Sequence, residues 1–277
     1  MLDWFIGQET WVQALIAGIF TWSITGLGAA LVFFAKSMNR TILNFIYGFA
    51  AGVMVAASFW SLLAPGIEWA TKNGGLPPWL VVSIGFMAGG LFLYLTDKTI
   101  PHLHYGKNQV AEGIHVKLKK TILLVFSITI HNIPEGLAIG VAFGAINKGD
   151  APTAIFASTI AAVTLAIGIG IQNFPEGAAV SIPLRQEGLS RWKSFFYGQA
   201  SALVEPIMAV IGALLVHSVQ FLLPYALSFA AGAMIYVVVE ELIPEAQNSQ
   251  PEANSHHAVF GFMLGFMIMM ILDVALG

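Results

Sequence analysis

The sequence predicts an all-α membrane protein with eight transmembrane helices. Of its 277 residues, 57% are hydrophobic and 10% are charged, whereas soluble domains carry roughly 25% charged residues. A helix that crosses a bilayer needs about 20 apolar residues, and the chain contains eight continuous apolar runs separated by polar breaks. An outer-membrane barrel is excluded, because its strands are about ten residues of alternating apolar and polar character.

The eight predicted helices follow one another closely. They cover residues 10–35, 42–63, 79–97, 120–146, 153–184, 193–217, 221–243 and 257–276. The longest polar segment, 98–119, separates helices 3 and 4 and is too short for a second domain, so residues 1–277 are predicted to form one transmembrane domain. The absence of cysteine excludes disulfides and thiolate metal ligands.

The lysines and arginines predict the orientation. Ten of the twelve lie on one side of the membrane, namely Lys36, Arg40, Lys98, Lys107, Lys117, Lys119, Lys120, Arg185, Arg191 and Lys193. Only Lys72 and Lys148 lie on the other side. Because basic loops stay cytoplasmic, we expect a cytoplasmic 98–119 loop and both termini outside a plasma or inner membrane.

Two sequence echoes predict inverted repeats in a 3+2+3 arrangement. HNIPEGLAIGV from His131 in helix 4 returns as QNFPEGAAVSI from Gln172 in helix 5, and FAAGVM from Phe49 in helix 2 returns as FAAGAM from Phe229 in helix 7. Each matched pair is an odd number of crossings apart, so its members run in opposite directions. Transporters often have this architecture. For FAAG alone, chance recurrence of small residues at tight helix contacts stays an alternative.

Both copies of N-x-P-E-G place polar side chains on one helix face. Residues four apart lie above one another, so His131 lies above Glu135, and Gln172 lies above Glu176. Neighbouring donors, turned by roughly 100° about each axis, are Asn132 and Asn173. Each helix therefore offers several donors to a shared cavity.

A proline in each motif adds backbone oxygens to these donors. Pro134 and Pro175 cannot donate a hydrogen bond to the carbonyl four residues earlier. The carbonyls of Ile130 and Ile171 are therefore predicted to be available as further donors.

A third acid, Glu205, lies in the middle of helix 6, before Pro206. Carboxylates inside a membrane require protonation, a cationic partner or water, and no lysine or arginine lies at that depth in helices 4 to 6. We therefore expect the compensating cation to come from outside the protein. Imidazole, carboxylate and amide groups, with the Met54 thioether, suit Zn²⁺, with Cd²⁺, Fe²⁺ or Mn²⁺ also open. A hydrogen-bonded network that holds the helices together is the alternative.

These motifs resemble the ZIP metal transporters, in particular the GufA-like branch, which has H-N-x-P-E-G on helix 4 and Q-[ND]-x-P-E-G on helix 5. The resemblance covers nearly the whole chain, including the "EP" of helix 6. It implies a main metal site of His131, Glu135, Gln172 and Glu176, with Met54 close by. It also implies a second site of Asn132, Asn173 and Glu205, bridged by Glu135 and Glu176. Some relatives have Asp in place of Asn173, which leaves occupancy of the second site open.

Other polar residues predict an entrance, an exit and a loop site. Glu68, beyond helix 2 on the outer side, is a candidate entrance residue, and Asp273 lies near the outer end of helix 8. Three acids at the cytoplasmic end of helix 7 are candidate exit residues, namely Glu240, Glu241 and Glu245. Three histidines of the cytoplasmic loop are candidates for metal binding, namely His102, His104 and His115.

We therefore interpret the chain as an uptake transporter that moves a divalent transition metal to the cytosol. The transported ion is its ligand; no prosthetic group, nucleic-acid partner or enzymatic activity is expected, and the resemblance implies a homodimer. One alternative is a proton or other cation carrier that uses the same carboxylates. Another is an intramembrane metalloprotease, although the string H-E-x-x-H is absent.

Overall fold

Eight long helical segments, labelled α1 to α8, make up most of the part of the chain that the structure describes. The computed structural model describes residues 2–35, 39–73, 75–99, 102–103, 111–112, 120–147, 150, 152–218, 220–247 and 255–276. A short helix, Leu2–Ile6, precedes α1. The segments are α1 Thr10–Phe33, α2 Arg40–Asn73, α3 Pro78–Thr99, α4 Lys120–Gly144, α5 Pro152–Gln186, α6 Arg191–Ala200 with Val204–Ser218, α7 Leu223–Gln247 and α8 Ser255–Leu276.

Seven of these segments, all except α4, are long and apolar enough to cross a membrane, within the part of the chain that the structure describes. The predicted helix 4 coincides with α4, which is helical over 25 residues. A helix of that length reaches across a hydrocarbon core of about 30 Å. The count of eight crossings stays a prediction.

α2 and α7 each contain a π-helical segment, Ser58–Leu63 and Val238–Leu242. Each π segment begins nine residues after the phenylalanine of its FAAG sequence, and each is followed by a proline, Pro65 or Pro244. A proline ring clashes with the carbonyl four residues earlier, and the wider π turn relieves that clash. The prediction that helix 2 ends at residue 63 is therefore wrong, because the chain continues as a helix to Asn73.

α6 is interrupted just before Glu205, which corrects the predicted continuous helix over 193–217. The turn at 201–203 replaces regular helical bonds with shorter-range ones, from the Leu203 amide to the Ala200 carbonyl and from the Glu205 amide to the Ala202 carbonyl, at 3.2 and 3.0 Å. Pro206 favours the break, since it lacks the N–H that would bond back across this turn. Glu205 is therefore the second residue of the helical piece that follows the break, Val204–Ser218.

The predicted loop 98–119 contains a small sheet, so the all-α prediction missed one feature. Strands β1, His102–Leu103, and β2, Ala111–Glu112, pair antiparallel, with His102 opposite Glu112. His104 and His115 lie outside the described residues.

Four helix pairs form the main contacts: α2 with α8, α3 with α7, α1 with α5, and α4 with α6. Glycines bring the backbones close together. A Cβ added to Gly136 of α4 would lie 2.5 Å from the Glu205 carbonyl oxygen, and one added to Gly52 of α2 would lie 2.0 Å from the Phe262 carbonyl oxygen. Because Glu205 lies directly on this contact, the spacing between α4 and α6 fixes the position of its backbone.

Candidate metal centre

The motif on α4 is joined to α7 through its histidine. His131 Nδ1 is in direct contact with Glu241 Oε2, and the two side chains are 9% and 18% exposed. His131 thus has a carboxylate on one ring nitrogen, which leaves Nε2 as the nitrogen available to a ligand. Glu241 was predicted as an exit residue, and the structure brings it to the central motif.

The motifs on α4 and α5 are joined to each other by an amide and a carboxylate. Gln172 Nε2 donates to Glu135 Oε1 at 2.7 Å, and both residues are buried. The amide oxygen Gln172 Oε1 and the other carboxylate oxygen, Glu135 Oε2, are buried without a hydrogen-bond partner.

The asparagine of the second motif holds the third acid. Asn173 Nδ2 lies 2.9 Å from each carboxylate oxygen of Glu205, and both residues are fully buried. The Thr21 hydroxyl of α1 lies within hydrogen-bond reach of the same carboxylate and of the Gly18 carbonyl. α5 therefore holds Glu205 directly through Asn173, and Thr21 of α1 lies beside the same carboxylate.

Four oxygens of the predicted metal ligands are buried and unpaired. They are Asn132 Oδ1, Glu135 Oε2, Gln172 Oε1 and Asn173 Oδ1. Unpaired buried acceptors are rare in native proteins, because each one costs about 1–3 kcal/mol. A bound cation requires such a group of acceptor oxygens, and here they lie on two neighbouring helices.

Four carboxylates interact electrostatically across this region. Glu135 interacts electrostatically with Glu176 and Glu205, and Glu176 also interacts with Glu241. The lysines and arginines of α4, α5 and α6 all lie at helix ends, namely Lys120, Arg185, Arg191 and Lys193. Positive charge within these three helices is therefore remote from the cluster.

The donors are bonded to each other rather than gathered around one point. Among the described residues, no three His, Asp or Glu side chains are arranged to hold a metal ion. Glu135 is engaged with Gln172, Glu205 with Asn173, and His131 with Glu241. Binding a cation here requires these contacts to be exchanged for bonds to the ion.

The remaining predicted ligands lie close by in the fold. Met54 is fully buried in α2 and belongs to the same apolar core as Ile130, the residue before His131. Glu176 is half-buried on α5. The His102 backbone lies in β1, between α3 and α4, and β1 packs against α4.

The three predicted exit acids do not act as one cluster. Glu240 is exposed, Glu241 contacts His131, and Glu245 is buried and paired with Arg40. The three side chains therefore have different neighbours, and their assignment as exit residues stays a prediction.

Glu68 and Asp273, the other two acids singled out in the sequence, also have partners in the structure. Glu68 pairs with Lys72 one turn away, and both side chains are exposed. Asp273 of α8 accepts a hydrogen bond from Ser61 in the π segment of α2.

Sequence reasoning missed two contacts of the centre. Thr21 reaches Glu205 from α1, and no sequence pattern singles out this threonine. For the Glu241 contact with His131, a signal was present: FAAG equates α7 with α2, and α2 was already predicted to bring Met54 to the site. The same equivalence predicts that the residues after Met234 in α7 also lie near the site.

Comparisons with known proteins place this chain in a family. The ZIP zinc transporter family model matches residues 8–121 and 111–273. Zinc transporter ZIP11 of Homo sapiens is 42% identical, over 98% of this chain and 99% of its own length. Zinc transporter GufA of Myxococcus xanthus is 34% identical over 95% and 98%, and zinc transporter ZIPB of Bordetella bronchiseptica is 36% identical over 95% and 81%. The chain therefore belongs to the ZIP family and is a multi-pass membrane protein.

Proposed function

We propose that this protein takes up zinc, carrying it from the outer side to the cytosol through the centre formed by α4, α5 and α6. The observation that carries the proposal is the set of four unpaired buried oxygens beside a cluster of carboxylates. A dication supplies the charge and the bonding partners that these groups lack. The three relatives named above, all zinc transporters, agree with it.

The donor chemistry favours a borderline metal. Imidazole, carboxylate and amide oxygen together suit Zn²⁺, and they would also accept Cd²⁺, Fe²⁺ or Mn²⁺. Glu241 on His131 Nδ1 repeats the carboxylate–histidine–metal arrangement, in which the carboxylate orients the ring and leaves Nε2 for the ion.

The proposed main site consists of His131, Glu135, Gln172 and Glu176, with Met54 beside it. The proposed second site consists of Asn132, Asn173 and Glu205, with Glu135 and Glu176 bridging the two. Asn173 now donates its amide nitrogen to Glu205, so its oxygen is the atom left to meet an ion.

Replacing Asn173 with Asp tests the second site. The added carboxylate would repel Glu205 until a second dication binds between them. We expect two bound zinc ions per chain in Asn173→Asp by calorimetric titration, against one in the unaltered protein. One ion in both forms would argue against the second site.

We propose that α1, α4, α5 and α6 move past α2, α3, α7 and α8 to expose the centre to each side in turn. The contacts α4–α6 and α1–α5 lie within the first group, and α2–α8 and α3–α7 lie within the second. In a 3+2+3 inverted repeat, α1, α2 and α3 correspond to α6, α7 and α8, and α4 corresponds to α5. Under this correspondence the α4–α6 pair becomes α5–α1, and the α2–α8 pair becomes α7–α3. The His131–Glu241 contact crosses between the groups, so movement must break it.

Orientation and assembly complete the proposal. Both termini face outward and the loop between α3 and α4 is cytoplasmic, as the lysine and arginine count favours. The protein works in a plasma or inner membrane as a homodimer.

Zinc entry into proteoliposomes tests this function. His131→Ala and Glu176→Ala each remove a proposed ligand, and we expect the initial rate to fall by about 100-fold, since each good ligand is worth several kcal/mol. Thr96→Ala is the matched control, because its hydroxyl bonds only back to Phe92 on α3 and lies outside the centre. Equal zinc flux in all four folded proteins would refute the proposed site.

A further inference from the structure

We propose that Arg40 neutralises Glu245 at the cytoplasmic mouth of the release path, so that a departing divalent cation is neither held there nor drawn back. The inference rests on the proposed function and assigns a role to a residue of α2 outside the motifs. Its basis is the position of one ion pair relative to the centre.

We place the path from the centre to the cytosol beside α7. Glu241 contacts His131, and Glu245 follows four residues later, about one helical turn nearer the end of α7. This end of α7 is predicted to be cytoplasmic. Glu245 is therefore the next carboxylate that an ion leaving His131 would pass along α7.

Arg40 reaches this carboxylate from another helix. Arg40 Nη1 lies 3.5 Å from Glu245 Oε1, with the arginine side chain 50% exposed and the glutamate side chain 10% exposed. The pair joins the first residue of α2 to the last turn of α7, two helix ends that the charge distribution places on the same side.

Arg40 also faces the group of helices proposed to move. It lines a cavity of about 70 Å³ together with Leu43 of α2 and with Ala178, Ile182 and Gln186 of α5. The guanidinium thus lies where α2 and α7 meet α5, at the inner mouth between the two groups.

Charge explains why such a pair would matter to a dication. A carboxylate attracts a dication twice as strongly as it attracts a monovalent ion at the same distance. An unneutralised Glu245 would form a trap beyond the centre, whereas an unneutralised Arg40 would form a barrier. Paired, the two present little net charge. An ion pair that only fastens α2 to α7 would affect stability instead.

A double-mutant cycle on zinc flux separates these roles. The variants are Arg40→Gln, Glu245→Gln and the double variant, each reconstituted and assayed for zinc entry and for thermal unfolding. We expect each single variant to lower the maximal rate by about tenfold, without raising the KM for external zinc, because the remaining residue loses the opposite charge of this pair. We expect the double variant to recover to within about twofold of the unaltered protein.

Arg185→Gln is the matched control for loss of a positive charge at the same membrane side. Arg185 donates to the Leu189 carbonyl rather than to an acid, so we expect its flux to stay unchanged. Single effects that multiply in the double variant, or rate losses that only follow losses of thermal stability, would overturn the inference alone. Absence of zinc flux in the unaltered, folded protein would overturn the proposed function and the inference with it.

Discussion

α2 and α7 are built alike but present different chemistry. Both carry FAAG, a buried methionine five residues after the Phe, a π segment and a proline at the second position of the following helix. The π segments are six and five residues long, which accounts for the one-residue difference in proline spacing. In α2 the segment offers Ser61 to Asp273 of α8, whereas in α7 the equivalent position offers Glu241 to His131.

The comparison separates backbone architecture from site chemistry. The π segment contains the residue twelve positions after the phenylalanine of FAAG, and it forms in both helices because both proline clashes must be relieved. Only in α7 does this residue, Glu241, contact the histidine of the centre. A repeated fold can therefore carry a site that joins one repeat and not the other, and π segments are frequent where function lies.

The largest expected effect is a loss of stability that α2 and α7 share. Gly52 and Gly232 are equivalent, and a Cβ at either would lie 2.0 Å from a backbone oxygen, of Phe262 or of Phe86. Each Gly→Ala replacement should lower the free energy of unfolding by about 3 kcal/mol through overpacking, measured by thermal unfolding in detergent. Gly90→Ala is the control, since its Cβ would meet nothing nearer than 3.9 Å. Clearly unequal losses of unfolding free energy in Gly52→Ala and Gly232→Ala would show that the two helices do not pack in equivalent ways.

The next effect should distinguish the helices. Glu241→Gln removes the charged partner of His131, and loss of such a partner lowers metal affinity by about 10- to 100-fold. We expect zinc flux to fall by at least about tenfold, with Ser61→Ala, at the equivalent position of α2, losing less than about threefold. Similar losses in the two variants would mean that the chemistry is as symmetric as the backbone.

A smaller effect should come from the prolines. Pro244→Ala removes the clash that the π turn relieves, which allows α7 to tighten and turn Glu241 away from His131. We expect flux to fall by about threefold, with Pro65→Ala changing it less because no proposed ligand lies in that π segment. A greater loss of zinc flux in Pro65→Ala than in Pro244→Ala would show that the π segment of α2, and not that of α7, supports transport.

The smallest effect should be at Glu68, near the end of α2. Glu68 is exposed and paired with Lys72, and exposed ion pairs contribute at most about 1 kcal/mol. Glu68→Gln should therefore raise the KM for external zinc by no more than about twofold. A tenfold rise would make Glu68 a principal entrance residue.

Much of this fold was readable from composition and periodicity. All eight apolar runs coincide with helices, because the bilayer imposes their length. The two departures both involve proline: α2 continues past Pro65 through a π turn, and α6 breaks before Pro206. A sequence shows that a proline disturbs a helix but not whether the backbone widens or stops, since neighbouring helices decide that.

The candidate centre was readable within α4 and α5 but not between distant helices. Spacing of four residues predicts that His131 and Glu135 share a face. It does not predict that Gln172 donates to Glu135, or that Glu241 rather than Glu245 contacts His131. Those contacts depend on how α7 packs against α4, and packing carries no periodic signal along one chain.

The central claim is that a visiting dication neutralises the buried carboxylates of α4, α5 and α6. Anomalous diffraction at the zinc edge, from crystals grown with zinc, tests it most directly. The account predicts an anomalous peak within bonding distance of His131, Glu135 and Glu176. Fully occupied zinc only in the 98–119 loop, with the motif side chains still bonded to each other, would contradict it.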